Sequence, residues 1–272
     1  MRQYEPTELF KGTAWYYARY RRPYPHQLIR FLIRAARLTT SSRVLDLGSG
    51  PGNLSIPLSR YVRQVVAVDP DSDMLAEGRR LARDKEATNV QWQLGSSYDL
   101  SKLDVGRVDA ATIGQAFHWM DREQTLRDLD HIVNPEGSVA VVGGPKRTGR
   151  EPPWASVIEQ AVGKWLGEER RAGSTIYQHP TERFEDTLRQ STFSSVTIRR
   201  FRWRVDSGID EVIGLLFSTS YSSPALLGEM KEGFERELRS ELARIQPGGR
   251  FAETVQAEVF IARRPQSATL IE

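Results

Sequence analysis

The 272-residue sequence contains no cysteine. That excludes a disulfide framework, a thiolate metal site and a cysteine nucleophile. It suits a reducing compartment, and a cytoplasmic location is expected. Histidine is scarce, with four residues in all. His26, His131 and His179 have no acidic or histidine partners at ligand spacing, so no metal site is expected. No apolar run is long enough to span a bilayer. The first residues, Met1 to Pro6, lack the apolar core of a secretory signal. An excess of one charge is also missing. Lysine and arginine number 38 against 35 acidic residues, a net charge of +3. A nucleic-acid-binding protein is expected to gather a basic face, and none is evident. Neither nucleic acid nor membrane is expected as a partner.

What is present is concentrated in one segment, Val44-Leu45-Asp46-Leu47-Gly48-Ser49-Gly50-Pro51-Gly52. An apolar strand runs into three glycines at alternate positions. Glycine lets the backbone turn sharply and lets a ligand approach where a Cβ would clash. A helix beginning there offers unpaired N–H groups and the positive end of its dipole. A second strand, Gln64 to Val68, ends at Asp69, where an acid can hydrogen-bond a ribose diol. The pattern is that of a nucleoside-binding half-fold. A dinucleotide fingerprint would place its third glycine at position 53, which is Asn53. A carboxylate at Asp46 would repel a pyrophosphate and suits a cationic ligand.

Strand and helix patterns alternate along the chain. Helices are expected at Pro25–Leu38, Gly52–Val62, Asp71–Lys85 and Asp121–Val133. Strands are expected at Arg43–Leu47, Gln64–Asp69, Val90–Leu94, Val108–Gln115 and Ser138–Val142, with a turn at Asn134–Gly137. Such alternation implies a parallel sheet with right-handed crossovers. A polar link, Gly143–Arg150, follows. Helices are then expected at Trp154–Gly167, Thr181–Arg189, Ile209–Ser218 and Pro224–Ile245. Strands return at Ser195–Val205 and Thr254–Ala262. The apolar face changes between Ile198 and Phe201, which suggests a bulge near Arg199. The expected organisation is a covering segment 1–24, a core 25–144, a cap insertion 145–190, a return to the core over 191–264, and a frayed tail 265–272.

The motif Asp46-Leu47-Gly48-Ser49-Gly50-Pro51-Gly52 resembles motif I of the class I S-adenosylmethionine-dependent methyltransferases, and Ala67-Val68-Asp69-Pro70-Asp71-Ser72-Asp73-Met74-Leu75 resembles their next motif. The whole span Phe10 to Ala262 is similar to the small-molecule group of ubiquinone-biosynthesis and trans-aconitate type enzymes. Residues Phe10 to Pro25 look like that group's N-terminal segment, which folds over the cofactor. Leu94-Gly95-Ser96-Ser97-Tyr98 occupies the adenine-contact motif, with Ser96 where the family has aspartate. Gly114-Gln115-Ala116-Phe117-His118-Trp119 looks like the strand-four exit with its His-Trp pair. The tyrosine-rich N-terminal segment also resembles the N-methyltransferases of lincosamide-type antibiotic pathways.

The resemblance implies an α/β, Rossmann-like fold with a seven-stranded, mostly parallel sheet, helices on both faces and a helical cap. It implies S-adenosylmethionine as cofactor, held by Asp46, Gly48, Ser49, Gly50, Gly52, Asp69, Pro70, Met74, Ser96, Ser97 and Gln115. Asp46 would lie near the methionine end and Asp69 on the ribose. The acceptor would sit against Tyr16 or Tyr17, Phe117 and His118. Trp119 is expected in the core. Arg19, Arg21 and Arg22 are either solvated or supply one partner for the cofactor carboxylate. The row Arg200, Arg202, Arg204 is expected on a solvated strand face.

The expected acceptor is a small molecule, through an amine nitrogen of a secondary metabolite; transfer to oxygen or carbon is the alternative. An oxygen acceptor needs a base, and His118 is the candidate; with an amine, His118 would only orient it. Methylation of a planar amide in nucleic acid or protein calls for an Asn/Asp-Pro-Pro-Tyr/Phe loop, which Gln115-Ala116-Phe117-His118 does not supply. A non-catalytic cofactor-binding regulator is the other rival. A homo-oligomer is compatible with the sequence. Residues Met1–Tyr24 and Pro145–Gln190 are expected to close over the pocket.

Overall fold

The computed structural model describes residues 4–173, 175–177 and 182–266. Met1–Gln3, His179, the expected helix start at Thr181 and the last six tail residues lie outside the described residues. The first half holds α1 (Ala14–Tyr20), α2 (His26–Ala35), β1 (Arg43–Leu47), α3 (Ser55–Ser59), β2 (Gln64–Asp69), α4 (Ser72–Asp84), β3 (Val90–Leu94), β4 (Val108–Gly114), α5 (Arg122–Ile132) and β5 (Val133–Val142). The second half holds β6 (Lys146–Thr148), α6 (Pro153–Leu166), β7 (Arg171–Ala172), β8 (Thr175–Ile176), α7 (Phe184–Arg189), β9 (Ser195–Ser207), α8 (Ile209–Phe217), α9 (Pro224–Leu227), α10 (Lys231–Ile245) and β10 (Phe251–Arg263).

Among the described residues the main sheet has eight strands in the order β3-β2-β1-β4-β5-β10, with β9 on the far side of β10 and β6 beside β10. The first five strands are parallel; β10 runs antiparallel to β5, β6 and β9. Seven strands were expected. The eighth is β6, cut from the polar link, which continues the edge of β5 along Thr254–Gln256 of β10. Its residues pair because β10 is long enough to offer free ladder positions beyond β5.

The central strands are apolar on both faces because helices cover both. Leu45, Leu47, Val66, Val68 and Ile113 point to one side, where α5 and α7 supply Leu126, Leu129 and Leu188. Val44, Val65 and Ala110 point to the other, under Leu28 and Leu32 of α2 and Leu58 of α3. A third cluster joins Trp154 and Val157 of α6 to Phe217 of α8 and Phe234 and Leu238 of α10. Within the 145–190 segment expected as a cap, α6 packs on helices of the later segment, and no described residue of 145–190 lines the cleft described below. The short α7 belongs under the sheet rather than over the cleft.

Five local expectations are corrected. The helix expected from Gly52 to Val62 is only Ser55–Ser59, because Gly50 and Gly52 take positive φ and delay its start. Pro57 then falls in the first turn, where its missing N–H costs nothing. The helix expected over Pro224–Ile245 is broken at Gly228, which sits at φ +51°. The strand to Gln115 stops at Gly114, since Gln115 itself is at φ +56°. There is no bulge at Arg199: β9 pairs β10 without interruption from Ser195↔Arg263 to Ser207↔Phe251. The apolar face changes because the strand passes from one helical layer to the other. Val196 and Ile198 meet the α5–α7 side, and Phe201 and Trp203 meet the α2 side. The turn at 134–137 is a loop-out within β5, between the pairs Val108↔Val133 and Ala110↔Ser138.

Candidate active site

The site lies at the carboxyl ends of β1, β2 and β4. The glycine turn is pinned there by its own backbone: the N–H groups of Gly48 and Ser49 both donate to the Val68 carbonyl, at 2.8 and 3.0 Å. Gly48 has φ +69°, and a Cβ on it would lie 2.5 Å from the Ala116 Cβ. No L side chain fits that turn. Asp69 ties this turn to the next. One oxygen accepts from the Gly50 N–H at 2.7 Å and the other from the Asp71 N–H at 3.0 Å. Burial pushes its pKa up to about 7, against the pull of those two N–H donors, with Asp71 and Asp46 adding to the rise.

A cleft enclosing about 710 Å³, part of it continuous with solvent, opens on this carboxylate. Of the residues named from sequence, it gathers Tyr17, Gly48, Gly50, Asp69, Pro70, Met74, Ser96, Ser97 and Gln115 on its wall. The remaining six stand elsewhere. Asp46 is buried, accepting from Ser55 Oγ at 2.5 Å and Thr112 Oγ1 at 2.8 Å. Burial raises it to about 6 despite those two hydroxyls. Ser49 is buried in the turn. Gly52 packs against Trp92, where a Cβ would come within 2.7 Å of the indole. Tyr16 faces the cap helices, its ring 5.2 Å from Phe217.

Phe117 and His118 are displaced for one reason. After Gln115 the chain makes a single 3-10 turn, Phe117–Trp119, which rotates successive side chains by about 120°. Phe117 goes into the core beside Phe184. Trp119, expected in the core, lines the cleft. His118 lies between them, off the wall, with its ring 4.5 Å from Trp119 and 6.5 Å from Tyr177. Burial lowers its pKa to about 3, helped by the charges of Arg122, Arg170, Lys146 and Arg21. It is a neutral imidazole at physiological pH.

The N-terminal segment closes the cleft from above. Pro6, Leu9 and Phe10 line it, none of which the sequence pattern had marked as contacts. Phe10 meets Tyr17 and Trp119 edge-on, each at 5.9 Å. Arg21 is not fully solvated, and among the described residues it is not paired with an acid. It lies 4.6 Å over the Tyr17 ring and donates to Ser218 O at 2.8 Å and Gln115 Oε1 at 3.4 Å. Gln115 in turn donates to the Tyr24 hydroxyl at 3.2 Å. Arg22 is structural: with Arg147 it clamps the buried Glu253 carboxylate. Arg200 and Arg202 pair with Glu258 and Gln256 on the outer ladder. Ser96 caps the turn Ser97–Asp99, donating from Oγ to Asp99 at 2.6 Å while accepting from the Tyr98 N–H. Tyr98 and Met120 also line the cleft, as does Asp71, which caps α4 by accepting from Asp73 and Met74. Among the described residues no acidic or histidine cluster could hold a metal, and no helix is long and apolar enough to cross a membrane.

A glycine turn after β1, an acid ending β2 and a cleft at the topological switch of a mostly parallel sheet are the features from which Rossmann-like nucleoside sites are built. Residues 44–137 match the family described as Methyltransferase domain. That segment is about a third of the chain, and over it the sequence is similar to methyltransferase domains. An uncharacterized methyltransferase of Mycobacterium tuberculosis is 32% identical over 157 residues, covering 57% of this chain and 59% of that protein. The match therefore spans under two thirds of that curated relative. Two solved structures share the fold. One is a type II methyltransferase candidate from Anaeromyxobacter dehalogenans, with TM-score 0.59, 20% identity and coverage of 90% of this chain and 97% of that one. The other is the YcgJ protein of Bacillus subtilis, with TM-score 0.52, 18% identity and coverage of 89% and 100%.

Proposed function

We propose that this chain transfers the methyl group of S-adenosylmethionine to a small organic acceptor bound in the cleft beneath Pro6–Tyr17. The observation that carries the reading is the Asp69 carboxylate, buried at the foot of the cleft and bridging the two turns that follow β1 and β2. Its two oxygens each take one backbone N–H, which leaves lone pairs for a vicinal diol. The site fits the cofactor in a second respect: at Gly48 a Cβ would strike Ala116 and close the cradle. Asp69, with Pro70 and Met74 beside it, would hold the ribose side, Ser96 and Ser97 the base side, and Tyr17 and Gln115 the methionine side.

When bound, the cofactor supplies an electrophilic methyl on sulfur, so no covalent enzyme intermediate is needed. The protein's task is then to position an acceptor and exclude water. Phe10, Tyr17 and Trp119 form an apolar collar that can do both. The aromatic faces also favour a nearby cation by about 0.5–2 kcal/mol. His118 is a weak base in this setting, so its role is to hold Trp119 and the acceptor side of the collar. An amine nitrogen needs no base once it arrives neutral. That agrees with the amine acceptor and the antibiotic-type substrate suggested by the N-terminal resemblance. The cations around His118 disfavour an acceptor that arrives as a bare ammonium ion. Screening candidate acceptors for production of S-adenosylhomocysteine tests the reading; tight product-nucleoside binding with no turnover on any small molecule would favour a binding regulator instead.

A further inference from the structure

From Trp119 of the collar the aromatic contacts continue to Tyr177 and Arg170. Trp119 on the cleft wall touches His118; both touch Tyr177, and Tyr177 touches Arg170. The exposed Arg170 guanidinium lies near two rings, 4.7 Å from the Tyr177 centroid and 4.4 Å from the Tyr221 centroid. Glu168 and Glu169 precede it in sequence, yet among the described residues Arg170 forms no ion pair. Arg122 lies over Phe117 and Phe184, with one N–H spent on the Glu182 carbonyl at 2.8 Å. Lys146 and Arg21 complete a set of four cations whose charges reach His118.

A guanidinium lying against two aromatic rings is restrained by them, and its N–H edge stays available to a partner. That edge matches a planar carboxylate in bidentate fashion, which a lysine in the same place would not reproduce. The geometry points to Arg170 as the acceptor's carboxylate clamp: the acceptor is a small molecule bearing a carboxylate, anchored at the cap by Arg170 while its reacting end reaches Trp119. The clamp rests on the methyl-transfer reading for what the anchored molecule is used for. It fixes a charged class of acceptor, whichever atom takes the methyl. It also accommodates an amine, provided that the same molecule carries the anion.

The test is calorimetric titration of benzoate, phenylacetate and indole-3-acetate, each against its carboxamide, into the wild type with and without S-adenosylhomocysteine. Arg170→Met and Arg170→Lys are measured alongside. A charge-assisted bidentate contact predicts that carboxylates bind about tenfold to a hundredfold more tightly than their amides. Arg170→Met should abolish that preference, Arg170→Lys should keep only part of it, and both should bind S-adenosylhomocysteine as the wild type does. Carboxylates no tighter than amides, or a preference that survives Arg170→Met, would overturn the clamp. Failure of the wild type to bind S-adenosylhomocysteine would overturn the methyl-transfer reading on its own, whatever the carboxylate series shows.

Discussion

Replacing Asp69 by alanine should separate cofactor binding from stability, because the carboxylate serves the two in opposite directions. If the ribose hydroxyls each donate to it, the variant loses two charge-assisted bonds of about 1.5–3 kcal/mol each. Affinity for S-adenosylhomocysteine should fall by roughly a hundredfold to ten-thousandfold. Stability moves otherwise. Burial raises Asp69 from an ordinary 3.8 to about 7, so the folded chain binds this proton more tightly than the unfolded chain. Folding stability should therefore decline as pH rises from about 4 to about 7, by about 4 kcal/mol in all at roughly 1.36 kcal/mol per unit. Asp69→Ala removes that decline and leaves the Gly50 and Asp71 N–H groups short of an acceptor, at roughly 1 kcal/mol each. At pH 8 the variant should be no less stable than the wild type while binding far more weakly. Diol donors favour the ionised form, so wild-type affinity should strengthen as pH passes through about 7, with a proton released that calorimetry in two buffers detects. Unchanged affinity in Asp69→Ala, or wild-type affinity flat between pH 6 and pH 8, would refute the reasoning.

Glu253→Gln leaves Arg22 and Arg147 without their buried counter-charge and should cost about 3–5 kcal/mol in denaturant unfolding; a loss under 1 kcal/mol would show the clamp to be incidental. Gly48→Ala forces a side chain into a left-handed turn and against Ala116, so it should destabilise by at least about 1–2 kcal/mol and also weaken nucleoside binding, read by thermal shift with and without S-adenosylhomocysteine. His118→Ala should keep turnover at pH 8 within about tenfold, since an imidazole held at about 3 is a weak base. A loss of a hundredfold or more, the scale of general-base catalysis, would return His118 to the reacting atoms.

The sheet and the nucleoside end of the site were legible because their signals are local. The glycine turn needs positive φ whatever surrounds it, and an acid at the end of a buried strand has one place to be. Buried strands such as Val65–Val68 declare themselves by composition. The acceptor end was less legible. Whether Phe117, His118 or Trp119 faces the cleft depends on a single 3-10 turn begun by the left-handed Gln115, and no periodicity reports that. Phe10 and Leu9 reach the wall only because the whole segment folds back, anchored by Arg21 on Ser218. The change of apolar face along β9 imitated a bulge because sequence does not say which layer covers each half of a strand. Arg170 is exposed and looks like any surface arginine in the sequence; only the structure brings the Tyr177 and Tyr221 rings against it.

Hydrogen exchange of the wild type with and without S-adenosylhomocysteine tests the central claim most directly, because it reports where a nucleoside binds. The account predicts added protection at the glycine turn Gly48–Gly52, at Asp69–Met74, at Ser96–Tyr98 and in the covering segment Pro6–Tyr17. Protection confined to other regions, or none at saturating ligand, would contradict the assignment of this cleft as the methyl-donor site.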